Sequence, residues 1–352
     1  MSETKALIAH TYIGTLIQAS QNEGIEVIAS LEDDAFGSFT KTSELIQRHN
    51  WPDVNVIPYA SKWPTRAQLP QDNNWYVIAH PPCAGGSMVT PSASRGGLSN
   101  PKSAFHVTDK FMKYAYDLNP PIIAVESVPG TLKYCGGDLK DMRNSYAPNY
   151  SIAFVLDVSN RYGCCSLRKR LWHIHYRNDL FPNGLNWERG AEAKRTLSEA
   201  LAGASEQSNF IVSKQQQTLY TKFESLYQAL PPGAYANNFL RKSGRWDLVP
   251  EGFPIKVKNN GEMFIFYEST ANKRLAWDAL APTITGSTML IHPDGTRPLT
   301  TREYLRVNGM PDTFEFPASM NNSKHITFIG KTTCLGITQW VIQNIKANLE
   351  SL

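Results

Sequence analysis

Trp75-Tyr76-Val77-Ile78-Ala79-His80-Pro81-Pro82-Cys83 is an apolar run cut off by two prolines. Each proline ring fixes φ and removes a backbone donor, so a strand over 75–79 neither continues nor turns directly into helix. The thiol of Cys83 is therefore presented at a strand tip. In an open parallel sheet ligands bind outside the carboxyl ends of the strands, a placement that suits a nucleophile better than a packing cysteine. A second run, Pro121-Ile122-Ile123-Ala124-Val125-Glu126-Ser127-Val128-Pro129-Gly130, has the unbroken apolarity of a strand buried on both faces and ends in a carboxylate and a Pro-Gly turn. Glu126 thus has a tip position equivalent to that of Cys83.

Working outward, the pattern predicts strands over 6–9, 26–31, 54–59 and 75–79. Helices are expected over 14–23, 38–49 and 102–118. This alternation predicts an α/β fold with a doubly wound, mostly parallel sheet. Residues 87–100, rich in Ser, Gly and Pro, read as a mobile loop after Cys83. In the segment 162–174, Arg168 and Arg170 alternate along an expected strand and so share a face, bringing two guanidinium forks together. From 178 to 277 the chain turns polar, and Gly244-Arg245-Trp246 and Lys256-Val257-Lys258-Asn259-Asn260-Gly261 suggest hairpins and loops. Arg297 through Asp312 contains a short helix capped by Thr300 or Thr301, with Glu303 in its first turn. A final helix over 332–349 is expected to pack back on the first domain.

Composition bounds the class. The chain has 352 residues, 41% of them hydrophobic, enough for one large α/β domain and a smaller one. A net charge of +4 permits nucleic-acid binding without demonstrating it. The five cysteines, at 83, 135, 164, 165 and 334, form no Cys-x-x-Cys pair and follow no signal peptide. That points to a reducing, cytoplasmic setting with no metal site. Cys164 and Cys165 read as packing residues on opposite faces of a strand. No apolar run approaches the roughly 20 residues a membrane helix needs, and no internal repeat is visible.

The order of these segments resembles the cytosine-specific carbon-5 DNA methyltransferases. That family carries a Pro-Cys loop, a Glu-Asn-Val strand end, a Gln-x-Arg-x-Arg strand, a variable recognition region, an Arg-x-Leu-Thr-x-Arg-Glu segment and a Gly-Asn helix start. The matching residues are Pro82-Cys83, Glu126-Ser127-Val128, Ser166 through Arg170, Arg297 through Glu303, and Gly330-Lys331, in the same order along nearly the whole chain. The resemblance implies a Rossmann-like methyltransferase fold. Its domains would be a catalytic and cofactor domain over 1–177, a target-recognition region over 178–277, a hinge over 278–325 and a returning helix over 326–352. It implies S-adenosylmethionine as cofactor and double-stranded DNA as partner, with a monomer acting on it, in a restriction-modification or phage setting.

Chemistry explains the residue set. Carbon 5 of cytosine attacks an alkyl donor only after a nucleophile adds to carbon 6, which assigns Cys83 as that nucleophile. Glu126, protonated, would serve ring nitrogen 3. Arg170 suits the ring carbonyl, and Arg168 would position Cys83, Glu126 or a phosphate. Access above the ring requires the base to leave the duplex, with a basic cleft as its receptor. The donor pocket implied by the resemblance is lined by Tyr12, Gly14, Glu32, Asp34, Pro82, Leu98, Lys331 and Thr332.

The departures lie on the donor side. In Ile8 through Thr15, Gly14 survives but the family's first glycine has become Tyr12 and its leading acidic residue Ile8. A glycine needed for close backbone approach is not replaced by tyrosine without changing what fits there. Lys331 stands in the Asn position, near an expected helix start. The expectations are therefore ordinary S-adenosylmethionine in a rearranged loop, a carboxylated analogue neutralised by Lys331, or a non-catalytic DNA-binding homologue. RNA or a free nucleotide is the alternative substrate class. The interleaved Tyr235, Phe239, Arg241, Lys242, Arg245 and Trp246 fit phosphate contacts or a small domain's core and rim equally well.

Overall fold

A computed structural model describes residues 3–33, 38–87, 90, 92–190, 192–266 and 272–352. The chain divides into two compact units, one of residues 1–162, 169–192 and 332–352, the other of 163–168 and 193–331. The divisions at 192 and 331 lie some distance from the 177 and 325 expected from sequence.

The first unit is built on a seven-stranded sheet. Its strands are β1 (Lys5–Ala9), β2 (Glu26–Leu31), β3 (Val56–Ile57), β4 (Trp75–Ala79), β5 (Ile122–Ser127), β6 (Tyr150–Val158) and β7 (Lys169–Arg177), in the order β3-β2-β1-β4-β5-β7-β6. β1 to β5 run parallel, and β7 lies antiparallel between β5 and β6. Helices α1 (Thr15–Asn22), α2 (Ser38–Asn50), α3 (Phe105–Asp117) and α4 (Gly130–Tyr146) make the crossovers. β1 to β5 and α1 to α3 sit within a few residues of their expected spans, because the apolar runs are sharply bounded by Gly and Pro, whereas α4 and β6 were not expected and β7 begins only at Lys169.

Side chains alternate across the sheet. Leu7, Ala9, Trp75, Val77, Ile123 and Val125 join one core with Phe111, Met112 and Ala115 of α3 and Cys135, Leu139 and Met142 of α4. The opposite parity of β5, Ile122, Ala124 and Glu126, is just as buried. The C-terminal helix Leu335–Glu350 packs against α1, and Gln339, Gln343 and Lys346 all hydrogen-bond Glu23. It begins three residues later than expected because Thr332 to Cys334 lie outside it, Cys334 holding the N-cap position.

The second unit corrects the sequence reading. Where hairpins and loops are expected, it has helices Leu197–Leu201, Lys214–Lys222, Glu224–Ala229 and Ala236–Ser243. Their polar, Gln- and Asn-rich sequences hide sparse apolar residues that assemble one core from Tyr220, Phe223, Leu226, Tyr227, Leu240 and Phe266. Gly244 is a left-handed helix cap and not a hairpin turn. Among the described residues of this region, the Lys256-Val257 stretch alone forms an expected hairpin, with Met263–Phe264. Thr300 caps helix Thr301–Val307 in a capping box with Glu303, which also pairs with Arg297 at 2.7 Å. Cys164 and Cys165 are fully buried packing residues outside any strand. Among the described residues no helix is long and apolar enough to cross a membrane.

Candidate active site

The sheet order reverses at β1 and β4, and that switch point is where ligands of doubly wound sheets bind. Register then places the chemistry. Ala79 pairs with Val125, so the next residues, His80 and Glu126, are neighbours on the same face of the sheet. Glu126 in turn pairs with Trp172, which makes Arg170, two residues along β7, its diagonal neighbour. The outcome is a buried triad: His80 Nε2 lies 2.8 Å from Glu126 Oε2, and Arg170 Nε pairs with the other carboxylate oxygen. Glu126, His80 and Arg170 are 0%, 2% and 5% exposed.

Cys83 is half-buried and opens a 3-10 turn, Cys83–Gly86, immediately after the two prolines. The turn sits on the start of α4 so closely that a Cβ on Gly86 would lie 2.2 Å from Thr131 Oγ1, and one on Gly130 would lie 2.2 Å from the Gly86 carbonyl. Burial pushes the Cys83 thiol up, but hydrogen bonding to His80 and the charges of His80 and Arg170 overcome burial and the Glu126 carboxylate, leaving it below the ordinary thiol value. For His80 burial works downward, and the Glu126 carboxylate and the thiol outweigh it, so the imidazole stands above its ordinary value.

Arg168 belongs to the second unit. β7 begins at Lys169, so the alternation that would have aligned Arg168 with Arg170 does not extend to it. Its guanidinium donates to the carbonyls of Ile284 at 2.6 Å and Gly330 at 3.0 Å, within the second unit. The remaining arginine of the expected pair, Arg170, reaches Glu126.

At the β1 tip, His10, Tyr12 and Gly14 have φ of 55°, 54° and 87°. The turn keeps the left-handed geometry that glycine favours while using two residues with side chains there. Gly14 is required sterically, since a Cβ would stand 2.0 Å from the Trp51 ring. Glu32, at the β2 tip, accepts hydrogen bonds from Ser43 at 2.9 Å and Gln47 at 2.6 Å, and Ser43 also donates to the Tyr12 carbonyl at 2.7 Å. Burial pushes Glu32 up to about 7 against these bonds and those from the Thr11 and Tyr12 backbone. Its carboxyl therefore braces the turn. Asp33 beside it is buried, with Lys110 Nζ 3.1 Å away.

Thr332 shares a 2.6 Å hydrogen bond with Thr15 at the start of α1. Leu98 donates its backbone N–H to Asp138 at 3.3 Å, and its side chain packs on the sheet core. Asp34, and residues 88, 89 and 91 of the expected loop, lie outside the described residues. Lys331 is exposed at the last position of helix His325–Lys331, not at a helix start. A cation is stabilised there by the carbonyl end of its own helix whatever else it meets. Of the aromatic and basic residues near 240, Arg241 pairs with Glu262 at 2.6 Å and Arg245 with Asp247 at 2.9 Å, while Phe239 and Trp246 pack on the local core.

His80 is the residue whose role the sequence reading missed. It stands in the quoted motif, but its partner is forty-six positions away, and only the β4–β5 register joins them.

The model of the C-5 cytosine-specific DNA methylases matches residues 11–347. The chain belongs to that family. Among curated relatives it is 26% identical over 232 residues to the Escherichia coli type II methyltransferase M.Eco47II, a match spanning 60% of this chain and 51% of that protein. It is 25% identical over 291 residues to the Avibacterium volantium type II methyltransferase M1.HgaI, covering 69% of this chain and 70% of that one. The family member thus aligns with about half the length of M.Eco47II. Among solved structures, Entamoeba histolytica methyltransferase EhMeth superposes with a TM-score of 0.61 at 13% identity, over 99% of each chain. The S. pombe Dnmt2 methyltransferase does so at 0.57 and 12% identity, over 99% of each chain. These likenesses support the Rossmann-like fold, with the mostly parallel sheet as its frame.

Proposed function

We propose that this chain is a DNA cytosine carbon-5 methyltransferase that uses S-adenosylmethionine and works through a covalent Cys83 adduct on a flipped-out cytosine. The observation that carries the reading is the juxtaposition of Cys83 with the buried His80–Glu126–Arg170 group at neighbouring strand tips. The Cys83 sulfur adds to carbon 6 while Glu126 delivers a proton to ring nitrogen 3 and Arg170 holds the Glu126 carboxyl in line. This places electron density at carbon 5. After alkylation the carbon-5 proton passes to solvent, the nitrogen-3 proton returns to Glu126, and expulsion of the sulfur restores the aromatic ring.

The donor site is the switch-point crevice at the β1, β2 and β4 tips, and its residues fit a nucleoside-bearing cofactor. The left-handed turn from His10 to Gly14 ends at α1, whose first residue is anchored to Thr332. Tyr12, Gly14, Glu32, Pro82, Leu98 and Thr332 would hold the group, with Glu32 shaping the turn from behind. When bound, S-adenosylmethionine supplies an electrophilic methyl group.

Nucleosides from duplex DNA incubated with the protein and S-adenosylmethionine are to be analysed by mass spectrometry. The expected product is cytosine heavier by one methyl group, absent with Cys83→Ser. Unmodified DNA with the wild type, or full activity in Cys83→Ser, overturns the reading. A heavier adduct formed only when cell extract supplies the donor identifies a different cofactor, and methylation of RNA but not duplex DNA reassigns the substrate.

A further inference from the structure

His80 has two ring nitrogens and only one is taken by the protein framework. Nε2 is held by Glu126 at 2.8 Å. Among the described residues no nitrogen or oxygen atom partners the buried Nδ1. The group that couples to the ring is the thiol of Cys83, three residues on, brought back by the Pro81-Pro82 bend. A carboxylate holds one nitrogen, the other is buried and unbonded, and the thiol couples to the ring, so the imidazole is placed to accept a proton from sulfur: the carboxylate fixes the tautomer with Nε2–H, and Nδ1 keeps its lone pair.

We propose that His80 is the proton acceptor that converts Cys83 to its thiolate, and that Glu126 orients it for this task. The inference rests on Cys83 being the nucleophile. As the S–C6 bond forms, the S–H proton passes to Nδ1, and the Nε2–H proton moves to Glu126, which hands it to nitrogen 3. One proton leaves sulfur and one arrives on the ring, so addition is balanced without solvent. Expulsion of the sulfur runs the relay in reverse. Arg170 holds the other Glu126 oxygen, so the carboxyl stays aligned with the ring in both directions. The surrounding charged and titratable groups are His10 and Tyr12 from the β1 tip, Glu126 from β5 and Arg170 from β7. His10 is held neutral by burial, down at about 4, and burial keeps the Tyr12 phenol protonated, so neither competes for the thiol proton.

The test is the pH dependence of Cys83 alkylation by iodoacetamide in the full chain, read by peptide mass spectrometry so that the other cysteines are counted separately. In the wild type Cys83 is expected to titrate below the ordinary thiol value of about 8.5. In His80→Gln its midpoint rises by at least one unit and its reactivity at pH 7 falls at least tenfold. Ring NMR of His80 in wild type and Cys83→Ser provides a second readout that needs no change at His80: removing the thiolate lowers the imidazole midpoint. A wild-type thiol titrating at 8.5 or above, a folded His80→Gln with unchanged alkylation, or an imidazole indifferent to Cys83→Ser overturns the proposal. Methylation surviving in Cys83→Ser defeats instead the reading on which it rests, whatever the thiol titration shows.

Discussion

The Tyr12 ring meets the His80 ring edge-on, with centroids 5.4 Å apart and planes at 75°. One residue of the rearranged β1 turn thereby walls the imidazole beside Cys83, so a change on the donor side is felt on the base side.

Tyr12→Gly separates these roles. At φ 54° a glycine relieves roughly 1–2 kcal/mol of left-handed strain, which offsets part of the packing lost with the ring, about 3–5 kcal/mol for truncating an aromatic. The melting temperature is expected to fall by several degrees while kcat for methyl transfer falls about tenfold as His80 loses its wall. Tyr12→Phe, which keeps the ring, restores turnover. A glycine variant with wild-type kcat removes the link.

Arg170 and Glu126 behave as a buried pair. Arg170→Met removes the ion-pair partner of a carboxylate at 0% exposure and should cost about 3–5 kcal/mol. Combining Arg170→Met with Glu126→Leu recovers most of that loss in a urea titration, although both variants are inactive. A double variant no more stable than the single one rules out ion pairing as the cause.

Gly86→Ala tests the seating of the nucleophile. The new Cβ meets Thr131 Oγ1 at 2.2 Å and its backbone nitrogen at 2.7 Å, so the Cys83 turn must lift from α4. A displacement of that kind is expected to lower kcat about a hundredfold and to cost about 1–3 kcal/mol by overpacking. Thr131→Ala in the same chain, which removes the hydroxyl, should return part of both. No kinetic change in Gly86→Ala would show that the turn has room to move.

Stability should fall in mild acid. Burial holds His10 at about 4 and His173 at about 3, and His175 lies further below its ordinary value. A folded-state value lowered from 6.5 means the stabilising neutral form is complete above 6.5 and is lost as the pH drops toward 4. Glu32 acts oppositely: pushed up to about 7 from 4.5, it favours the folded state at low pH and loses that contribution between 4.5 and 7. With His325 also held at about 4 by burial, four histidines are set against one carboxyl, and unfolding takes up about three protons between pH 6 and 5, or about 4 kcal/mol per pH unit. Chemical denaturation at pH 7, 6 and 5 measures the slope. A flat profile would mean that these histidines are not neutral and buried together.

Cys83 and Glu126 were legible because each ends an unmistakable apolar run, and a strand tip is a local property. The parallel part of the sheet, β1 to β5, followed from the same runs, while β6 was not expected. His80 was not legible as a partner of Glu126, because register between β4 and β5 is set by packing of the whole layer and leaves no mark within either segment. Arg168 lies one residue before β7 begins, where period-two alternation no longer fixes a shared face. The second unit eluded the pattern because its helices are short and carry few apolar residues each, so the 3.6-residue period barely repeats before the helix ends.

The helix Leu335–Glu350, packed on α1, makes synthesis order matter. A ribosome emits β1 and α1 first, yet their outer layer arrives more than three hundred residues later, so the first unit must wait with that apolar surface uncovered through nearly the whole of translation. Any stall or cleavage before residue 335 leaves a chain with every catalytic side chain named above and no stable place to hold them.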